Sequence, residues 1–399
     1  MMSREPDQKT QSQYTLVNHK LLRNGYTTGT CAAAAAKAAA MMLFTGKPVE
    51  EMPLMTPAGV LLHLIIEGTS VCRAGDGLPD RVRCAVRKDG GDDIDVTDGI
   101  LVFAEVRRIC SDEIRILGGE GVGTVTRPGL DQPVGAPAIN SGPRSMIRTA
   151  VQEVCAACRY EGGVEVTISV PEGRLVAEKT FNSQMGIVDG ISILGTSGIV
   201  LPMSQRALLD SIELELKMLY ASGYEWIIMS PGNYGAHFLR EKTALNPDFS
   251  MKCSNFVGET LDMAEAVGIR GILFVAHIGK FIKLSGGIMN THSRDSDARM
   301  ELLAAAALRS GVPSGTVLKI LDCLTTDEAL LVLRQEAPGY VEAVISLVAE
   351  RIQHHLDRRT AGRIRTGVIL FSGRETYLTQ TKPVSVLRQK LQEQEQLLK

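Results

Sequence analysis

The chain has 399 residues with a formal net charge of −2 at pH 7, and 44% of its residues are hydrophobic. Such a length exceeds one ordinary domain, and the near-neutral charge excludes a general attraction for nucleic acid. No stretch reaches the roughly 20 apolar residues that span a bilayer, and the polar N-terminus lacks the apolar core of a secretory signal. We therefore expect a cytoplasmic globular protein that binds neither nucleic acid nor membrane.

The pattern of elements changes along the chain. Residues 1–20 read as a flexible polar arm. Over residues 21–184, an Ala-rich helix, a run of short strands and a second helix around Ile147 to Tyr160 predict an α+β domain. Over residues 185–375, the order strand, glycine loop, helix occurs three times, which predicts an α/β domain with a mainly parallel sheet. The remaining residues, 376–399, read as a polar helical tail.

The start of the Ala-rich helix is the first candidate site. The segment GYTTGTCAAAAAKAAAMM begins at Gly25, and Thr27, Thr28 and Thr30 can cap the helix with side-chain oxygens. The free N–H groups of such a helix start can bind an anion. The alternative is a capped helix whose Ala face packs closely against a sheet, and composition favours this simpler interpretation.

Two further glycine- or acid-rich segments in the first half indicate turns. GGEGVG (Gly118 to Gly123) continues as an alternating segment instead of opening a helix, so a turn between two strands is favoured over a phosphate loop. GGDDIDVTDG (Gly90 to Gly99) places four aspartates in ten residues. It lacks the bidentate Glu and flanking helices of a calcium loop, so a turn is again favoured.

In the second half, the strands ISIL (Ile191 to Leu194), WIIMS (Trp226 to Ser230) and GILFVAH (Gly271 to His277) end in GTSG, PGNYG and IGK. Ligands bind outside the carboxyl ends of the strands in parallel sheets. The last of these loops continues into a dense polar segment that ends at Arg299. Its cations could bind carboxylates or phosphates, and its histidines could move a proton near neutral pH. A solvated connection between helices is the alternative interpretation.

Metal and hydrolase chemistry find little support. Of eight cysteines, only Cys155 and Cys158 form a CxxC, without the second pair that a structural zinc site needs. The chain has no G-x-S-x-G, HExxH or Walker loop. We expect free thiols and no metal held by the protein.

Six segments in order resemble the cobalt-precorrin-5B carbon-1 methyltransferase family of the anaerobic cobalamin pathway, over about Leu21 to Ser372. They are GYTTGTCAAAAAKAA, GGEGVGTVTRPGL, AINSGPRSMI, KTFNSQMGIVDGISILGTSGIVLPMS, SPGNYG and HIGKFIKLSGGIMNTHSRDSDAR. The resemblance implies a cytoplasmic enzyme that takes a methyl group from S-adenosylmethionine and gives cobalt-precorrin-6A. It also implies an α+β domain joined to an α/β domain, with cobalt entering only as part of the substrate.

The sequence departs from the usual family pattern at two places. The acidic loop more often reads GDDPDVTHG, whereas Ile94 and Asp98 stand here at the Pro and His positions, which argues against a catalytic His in that loop. The strand end more often reads GHIGK, and Ala276 occupies the Gly position here. Very close approach of a ligand at residue 276 is therefore not expected.

Site residues are predicted on this basis. For the nucleoside of the methyl donor, strand-end geometry favours Gly195, Thr196, Ser197, Gly198, Asn233 and Gly235. The substrate carries several carboxylates around an apolar ring, which calls for basic clamps. The predicted substrate residues are Thr27, Thr28, Thr30, Arg144, Arg148, Lys280, Lys283 and Arg294. An electron-rich ring carbon can attack without a base; if a proton must move, His277 and His292 are the candidates.

Two other functions stay open at this point. A small-molecule kinase of α+β type could use the Thr-rich helix start for phosphates, and it would bind magnesium-ATP. A non-catalytic tetrapyrrole carrier could use the same basic clamps without affinity for the methyl donor. The oligomeric state is left open.

Overall fold

The computed structural model describes residues 14–17, 20–73, 75, 77–180, 182, 185–242, 245–246, 250–373 and 376–398. The chain divides into two compact units, Met1–Gln205 and Arg206–Lys399. Among the described helices, none has the length and apolar character needed to cross a membrane. Of the predicted polar arm, residues 1–13 and 18–19 lie outside the described residues, while Tyr14–Val17 pairs as a strand with Lys20–Arg23.

Within its described residues, the first unit contains short strands and three helices. The strands are β1 (Tyr14–Val17), β2 (Lys20–Arg23), β3 (Gly25–Tyr26), β4 (Glu51–Met55), β5 (Leu61–Ile65), β6 (Glu67–Cys72), β7 (Arg81–Arg87), β8 (Leu101–Ile109), β9 (Ile114–Gly118), β10 (Thr124–Val125), β11 (Gly163–Ser169), β12 (Ile187–Val188) and β13 (Ile199–Val200). The helices are α1 (Thr28–Thr45), α2 (Ser141–Ala157) and α3 (Gly173–Ala177).

Helix α1 lies against the main sheet of this unit, whose strand order is β6-β7-β8-β11-β9. Its eight alanines between Ala32 and Ala40 are each 0% exposed, so the helix is surrounded by β7, β8 and α2. Because alanine adds only a methyl group, the helix backbone can approach the strands closely on every side. The packed-helix interpretation of this segment is confirmed.

Both turn predictions in this unit are also confirmed. GGEGVG connects β9 to β10. In the acidic loop, Asp95 accepts hydrogen bonds from Thr97 and from the buried Lys88, whose Nζ lies 2.5 Å from Asp95 Oδ2. Asp98 Oδ1 accepts the N–H of Gly90 at 2.7 Å. Hydrogen bonds to the backbone and to Lys88 therefore hold this loop. Asp98, which occupies the position where the family more often has His, stabilises the loop by accepting the N–H of Gly90.

The segment over residues 185–200 lies elsewhere than predicted. Strand β12 pairs with β10, and β13 pairs with β3, all within the first unit. Ile191 and Ile193 form single bridges with Val122 and Ile139 and pack in the core of that unit. The prediction that ISIL belongs to the parallel sheet was wrong. The two compact units divide after Gln205, about twenty residues later in the chain than the predicted boundary at residue 185.

The second unit is an α/β sandwich around one sheet. Its strands are β14 (Trp226–Ser230), β15 (Ser250–Lys252), β16 (Gly271–His277), β17 (Arg365–Ser372) and β18 (Thr376–Gln380). They follow the order β15-β14-β16-β17-β18, parallel except for the antiparallel β18. The helices are α4 (Gln205–Ala221), α5 (Asn233–Lys242), α6 (Val257–Val267), α7 (Ile278–Phe281), α8 (Arg299–Arg309), α9 (Ser314–Leu321), α10 (Thr326–Glu336), α11 (Val341–Thr360) and α12 (Val384–Leu398), with 3-10 turns at Ile282–Gly286 and Pro338–Tyr340.

Both faces of this sheet are covered, as its uninterrupted apolar strands require. Phe274 and Ala276 of β16 join the core under α11, whereas Leu273 and Val275 join a second core with α12. The predicted α+β and α/β fold with a mainly parallel sheet is confirmed. The predicted polar tail differs, because β18 extends the sheet and Leu387 and Leu391 of α12 are buried against it.

Candidate functional site at the strand ends of the second unit

A cavity of about 770 Å³ lies at the carboxyl ends of β14, β16 and β17. We call it the strand-end cavity, and it is lined by Pro231, Gly232, Asn233, Tyr234, Gly235, His277, Gly279, Lys280, Arg299, Thr325, Thr326, Asp327 and Gly373. Its size falls in the range of small-molecule sites. The structure brings together four residues that the sequence predicted for different roles: Asn233 and Gly235 for the cofactor, His277 for catalysis and Lys280 for the substrate.

Close packing explains the glycine at position 235. A Cβ atom there would lie 2.4 Å from the carbonyl oxygen of Val275 and 2.6 Å from Cβ of Ser230. The first turn of α5 can therefore sit directly on β14 and β16 only with glycine at this position. Asn233 and Tyr234, just before it, are exposed at the rim of the cavity.

His277 ends β16 and caps α7. Its Nδ1 accepts the N–H of Gly279 at 2.9 Å, so Nδ1 carries no proton, and Nε2 faces Asp327 Oδ2 at 3.5 Å. Burial lowers the pKa of His277, although Asp327 acts in the opposite direction. These contacts assign the neutral tautomer with the proton on Nε2. Both ring nitrogens are thus engaged, which does not suit a base that must accept a proton from a ligand.

Asp327 stands in the first turn of α10, after the cap residue Thr325. Its Oδ1 accepts the N–H of Gly373 at 3.1 Å, which ties α10 to the end of β17. The Asp327 side chain is nevertheless 47% exposed. A carboxylate is therefore fixed at the wall of the cavity with part of its surface open.

Lys280 marks another side of the cavity. Its ammonium donates to Asn255 Oδ1 at 3.0 Å and to the carbonyl oxygen of Pro231 at 3.4 Å. Asn255 Oδ1 also accepts from the hydroxyl of Thr291 at 3.3 Å. Desolvation lowers the pKa of Lys280. Neutral acceptors from two loops thus hold this cation beside the cavity.

Lys283, three residues further on, has a different role from the predicted clamp. It is only 2% exposed, and its ammonium donates to the carbonyl oxygens of Thr291 at 3.0 Å and Ser296 at 2.7 Å. Lys280 is thus exposed and Lys283 buried, although only three residues separate them. The buried ammonium is used to hold residues 291–296.

His292 and Arg294 belong to the segment that Lys283 holds. The side chain of His292 is engaged within this segment, because its Nδ1 accepts the backbone N–H of Arg294 at 3.1 Å. Neither residue lines the strand-end cavity. Arg299, which does line it, makes a two-point ion pair with Asp297 at 2.6 Å and 2.9 Å.

The Thr-rich helix start, in the first unit, is closed by its own chain. The N–H of Gly29 donates to the carbonyl oxygen of Leu194 at 2.9 Å, and the hydroxyl of Thr30 donates to that of Gly198 at 2.7 Å. Thr28 Oγ1 accepts the N–H of Leu194 at 2.9 Å, while Thr27 Oγ1 accepts that of Thr30 at 3.2 Å. These N–H and hydroxyl groups of the helix start are therefore engaged by residues 194–198 and by the cap residue Thr27.

Glycines allow the helix start to pack closely on its neighbours. Gly195 has φ +133°, and a Cβ there would lie 2.1 Å from Thr27 Oγ1. A Cβ at Gly29 would lie 2.7 Å from Cγ of Pro143. The predicted cofactor residues Gly195, Thr196, Ser197 and Gly198 thus form a loop that packs on the predicted substrate threonines, and the kinase interpretation loses its phosphate site.

The two predicted clamps on α2 differ from each other. Arg144 donates to the carbonyl oxygens of Ile139 at 2.8 Å and Ile116 at 3.3 Å, and desolvation lowers its pKa. Arg148, one turn later, is exposed. Only Arg148 therefore presents its guanidinium to solvent in the way that a carboxylate clamp requires.

Comparison with known proteins agrees with this organisation. A CbiD family model matches residues 15–202, and a model described as CbiD, C-terminal domain matches residues 290–382. A cobalt-precorrin-5B C(1)-methyltransferase from Ruminiclostridium cellulolyticum is 43% identical over 362 residues, covering 90% of this chain and 91% of that protein. The protein of the same name from Klebsiella pneumoniae is 42% identical over 375 residues, covering 93% and 96%. The chain belongs to the CbiD family.

One solved structure of the CbiD family is also similar. It is the crystal structure of the cobalamin biosynthesis protein (cbiD) from Archaeoglobus fulgidus, with 30% sequence identity and a TM-score of 0.41. The match covers 75% of this chain and 92% of that chain.

Sequence reasoning did not select four polar side chains of the cavity in this CbiD chain, namely Tyr234, Thr325, Thr326 and Asp327, and it named Arg299 only as the end of the polar segment. Tyr234 stands inside the PGNYG loop that was singled out, and only its neighbours were selected. Asp327 carries a weaker signal, since TTDE reads as an ordinary helix cap. At the departure from the family pattern, the Ala276 side chain packs in the core and not toward a ligand.

Proposed function

We propose that this chain methylates carbon 1 of cobalt-precorrin-5B, with S-adenosylmethionine as the methyl donor bound in the strand-end cavity. The activity follows from the family, since relatives with that name match about nine tenths of the chain. The position rests on one observation: loops after β14, β16 and β17 enclose a cavity that holds Asn233, Gly235, His277 and Lys280. The proposal includes a cytoplasmic location and leaves the oligomeric state open.

The residues present fit a donor of this kind. S-adenosylmethionine supplies a methyl group on a positively charged sulfur, together with an amino-acid group and a nucleoside. The cavity offers an amide at Asn233, an aromatic ring at Tyr234, an ammonium at Lys280 and a carboxylate at Asp327. These are hydrogen-bonding and stacking partners for polar and aromatic parts of one small molecule.

Methyl transfer is an in-line displacement. The electron pair of the ring carbon forms the new C–C bond as the S–CH₃ bond breaks, and its electrons stay on sulfur. The protein must align the three atoms and exclude water, and orientation of this kind supplies much of the rate. We infer that His277 positions residues of the cavity, because its Nδ1 is used by Gly279 and its Nε2–H faces Asp327.

The carboxylates of the substrate require cations other than those that line the cavity, Lys280 and Arg299. Of the predicted clamps in the second unit that lie outside the cavity, Arg294 is exposed and Lys283 is buried. We propose that Arg294, in the unit that holds the cavity, contacts a carboxylate of the substrate.

The test uses one residue from each predicted cofactor loop. Asn233→Ala changes the strand-end cavity, and Thr196→Ala changes the loop on the helix start. Methyl transfer to cobalt-precorrin-5B is followed by mass spectrometry at several S-adenosylmethionine concentrations. We expect Asn233→Ala to raise KM for the donor about tenfold, as for a lost hydrogen bond, and Thr196→Ala to leave it within about twofold. The reverse result would place the donor at the helix start.

A further inference from the structure

Two charges of opposite sign face the strand-end cavity without a counter-ion among the residues that the structure describes. The first is Lys280, whose ammonium contacts only the amide oxygen of Asn255 and the carbonyl oxygen of Pro231 in the described chain. Hydrogen bonds to neutral oxygens hold an ammonium in place but do not neutralise it. A ligand with negative charge at this position would complete the contact.

The second charge is Asp327. Its described partners are the N–H of Gly373 at 3.1 Å and Nε2 of His277 at 3.5 Å, and His277 is the neutral tautomer. Both partners orient the carboxylate and leave its negative charge in place. With 47% of the side chain exposed, Asp327 can accept a charged donor from the cavity.

The other charged residue of the cavity wall differs. Arg299 forms its two-point pair with Asp297, so its charge is already matched within the protein. Lys280 and Asp327 are not paired with each other in the described structure. Lys280 is tied to the loop after β14, and Asp327 to the end of β17, with His277 and Gly279 between them at the end of β16.

We propose that Lys280 and Asp327 bind the amino-acid group of the methyl donor, the carboxylate at Lys280 and the ammonium at Asp327. This inference rests on the proposed function and adds which part of the donor each residue recognises. A zwitterionic α-amino acid carries a carboxylate and an ammonium, the two charges that complement Lys280 and Asp327. Lys280, predicted for a substrate carboxylate, is thereby assigned to the donor.

A substrate carboxylate is the competing ligand for Lys280. It would match the lysine but would bring further negative charge toward Asp327, which no described cation neutralises. A polycarboxylate therefore fits this wall less well than a zwitterion. The two possibilities differ in which ligand loses affinity when either charge is removed.

The experiment compares two ligands by calorimetry: S-adenosylhomocysteine, which has the amino-acid group, and 5′-methylthioadenosine, which lacks it. For the wild-type chain we expect S-adenosylhomocysteine to bind at least about tenfold more tightly. In Lys280→Met and Asp327→Asn, its affinity should fall roughly ten- to hundredfold, as for charge-assisted hydrogen bonds. The affinity for 5′-methylthioadenosine should change less than twofold.

Controls separate folding from recognition. Asp322→Asn neutralises an exposed carboxylate that does not line the cavity, and it should leave both affinities unchanged. Lys280→Arg and Asp327→Glu keep the charges and should retain most of the preference. Thermal unfolding of each variant shows whether it is folded. The comparison of the two ligands on the wild-type chain does not depend on any variant.

Three outcomes would overturn the inference. Equal loss for both ligands would mean that the two residues contact the adenosine part or act on the fold, while donor binding in the cavity would stand. An unchanged affinity for S-adenosylhomocysteine in both variants would place the amino-acid group elsewhere. Absence of binding of either ligand to the wild type would contradict the proposed donor, and the inference would fail with it.

Discussion

The helix start of α1 and the strand-end cavity give the same signal in the sequence: small residues and glycines beside the beginning of a helix. In the first, residues 194–198 supply carbonyl oxygens to the N–H and hydroxyl groups of the helix start. In the second, Lys280 and Asp327 contact neutral partners and still face a cavity. The partners of the polar groups, and not the motif, distinguish a packed contact from a binding site.

The largest expected effect tests the packed region. Gly195→Ala places a methyl group 2.1 Å from Thr27 Oγ1 at a residue with φ +133°, so the loop and helix start must separate. We expect the free energy of unfolding to fall by about 3 kcal/mol, measured by urea denaturation. Affinity for S-adenosylhomocysteine should be retained by the folded variant. Unchanged stability with lost affinity would instead make this loop part of the donor site.

A smaller effect is expected at α2, where two arginines one turn apart form a matched pair. Arg144→Met leaves the carbonyl oxygens of Ile139 and Ile116 without this donor, so unfolding should become easier by about 1–2 kcal/mol. Arg148→Met, at an exposed position, should stay within about 0.5 kcal/mol. If Arg148→Met were the more destabilising, the structural role given to Arg144 would be incorrect.

A change at Asn255 tests whether the position of the Lys280 ammonium matters for ligand binding. Asn255→Leu removes the oxygen that holds the Lys280 ammonium at 3.0 Å, while the lysine itself stays. We expect affinity for S-adenosylhomocysteine to fall about fivefold, less than in Lys280→Met, because only the position of the charge is lost. Asn255→Gln keeps a neutral amide oxygen as an acceptor and serves as the control. A larger loss than in Lys280→Met would show that Asn255 itself contacts the ligand.

The smallest effect concerns His277. Asn at this position can still accept the N–H of Gly279 as a helix cap, so His277→Asn should retain kcat within about threefold. A loss of about a hundredfold or more would identify His277 as a general acid or base instead.

The pH dependence of the free energy of unfolding gives a second comparison of the wild-type chain with His277→Asn. Burial lowers the pKa of His277 below its value of 6.5 in the unfolded chain, so the unfolded state binds the extra proton first as pH falls. Wild-type stability should therefore decrease below pH 6.5 relative to that of His277→Asn. An equal pH dependence of the two proteins would remove this role for the imidazole.

Much of the fold could be predicted, because apolar periodicity depends on local sequence. Strands such as β8 and β16 were evident as apolar runs. The rule for parallel sheets selected the loops that hold Asn233, Gly235, His277 and Lys280, although it also selected GTSG, which lies in the first unit. ISIL was misassigned because an apolar run does not specify its partner. Ile191 and Ile193 satisfy the same pattern by packing in the first unit.

The rest of the site depends on tertiary contacts that no local pattern encodes. Asp327 begins a helix about fifty residues after His277, and only the folded chain brings its carboxylate to 3.5 Å from that ring. Lys280 and Lys283 are both cations of one short segment, yet one donates to the rim of a cavity and the other is buried. Their partners differ, since Lys280 donates to Asn255 and Pro231 and Lys283 donates to the carbonyl oxygens of residues 291 and 296.

The most direct test of the strand-end cavity as the donor site is amide hydrogen exchange of the wild-type chain with and without S-adenosylhomocysteine. The account predicts slower exchange in residues 231–235, 277–281 and 325–328, and no change in residues 194–198. Protection of residues 194–198 with no change at the strand ends would contradict it.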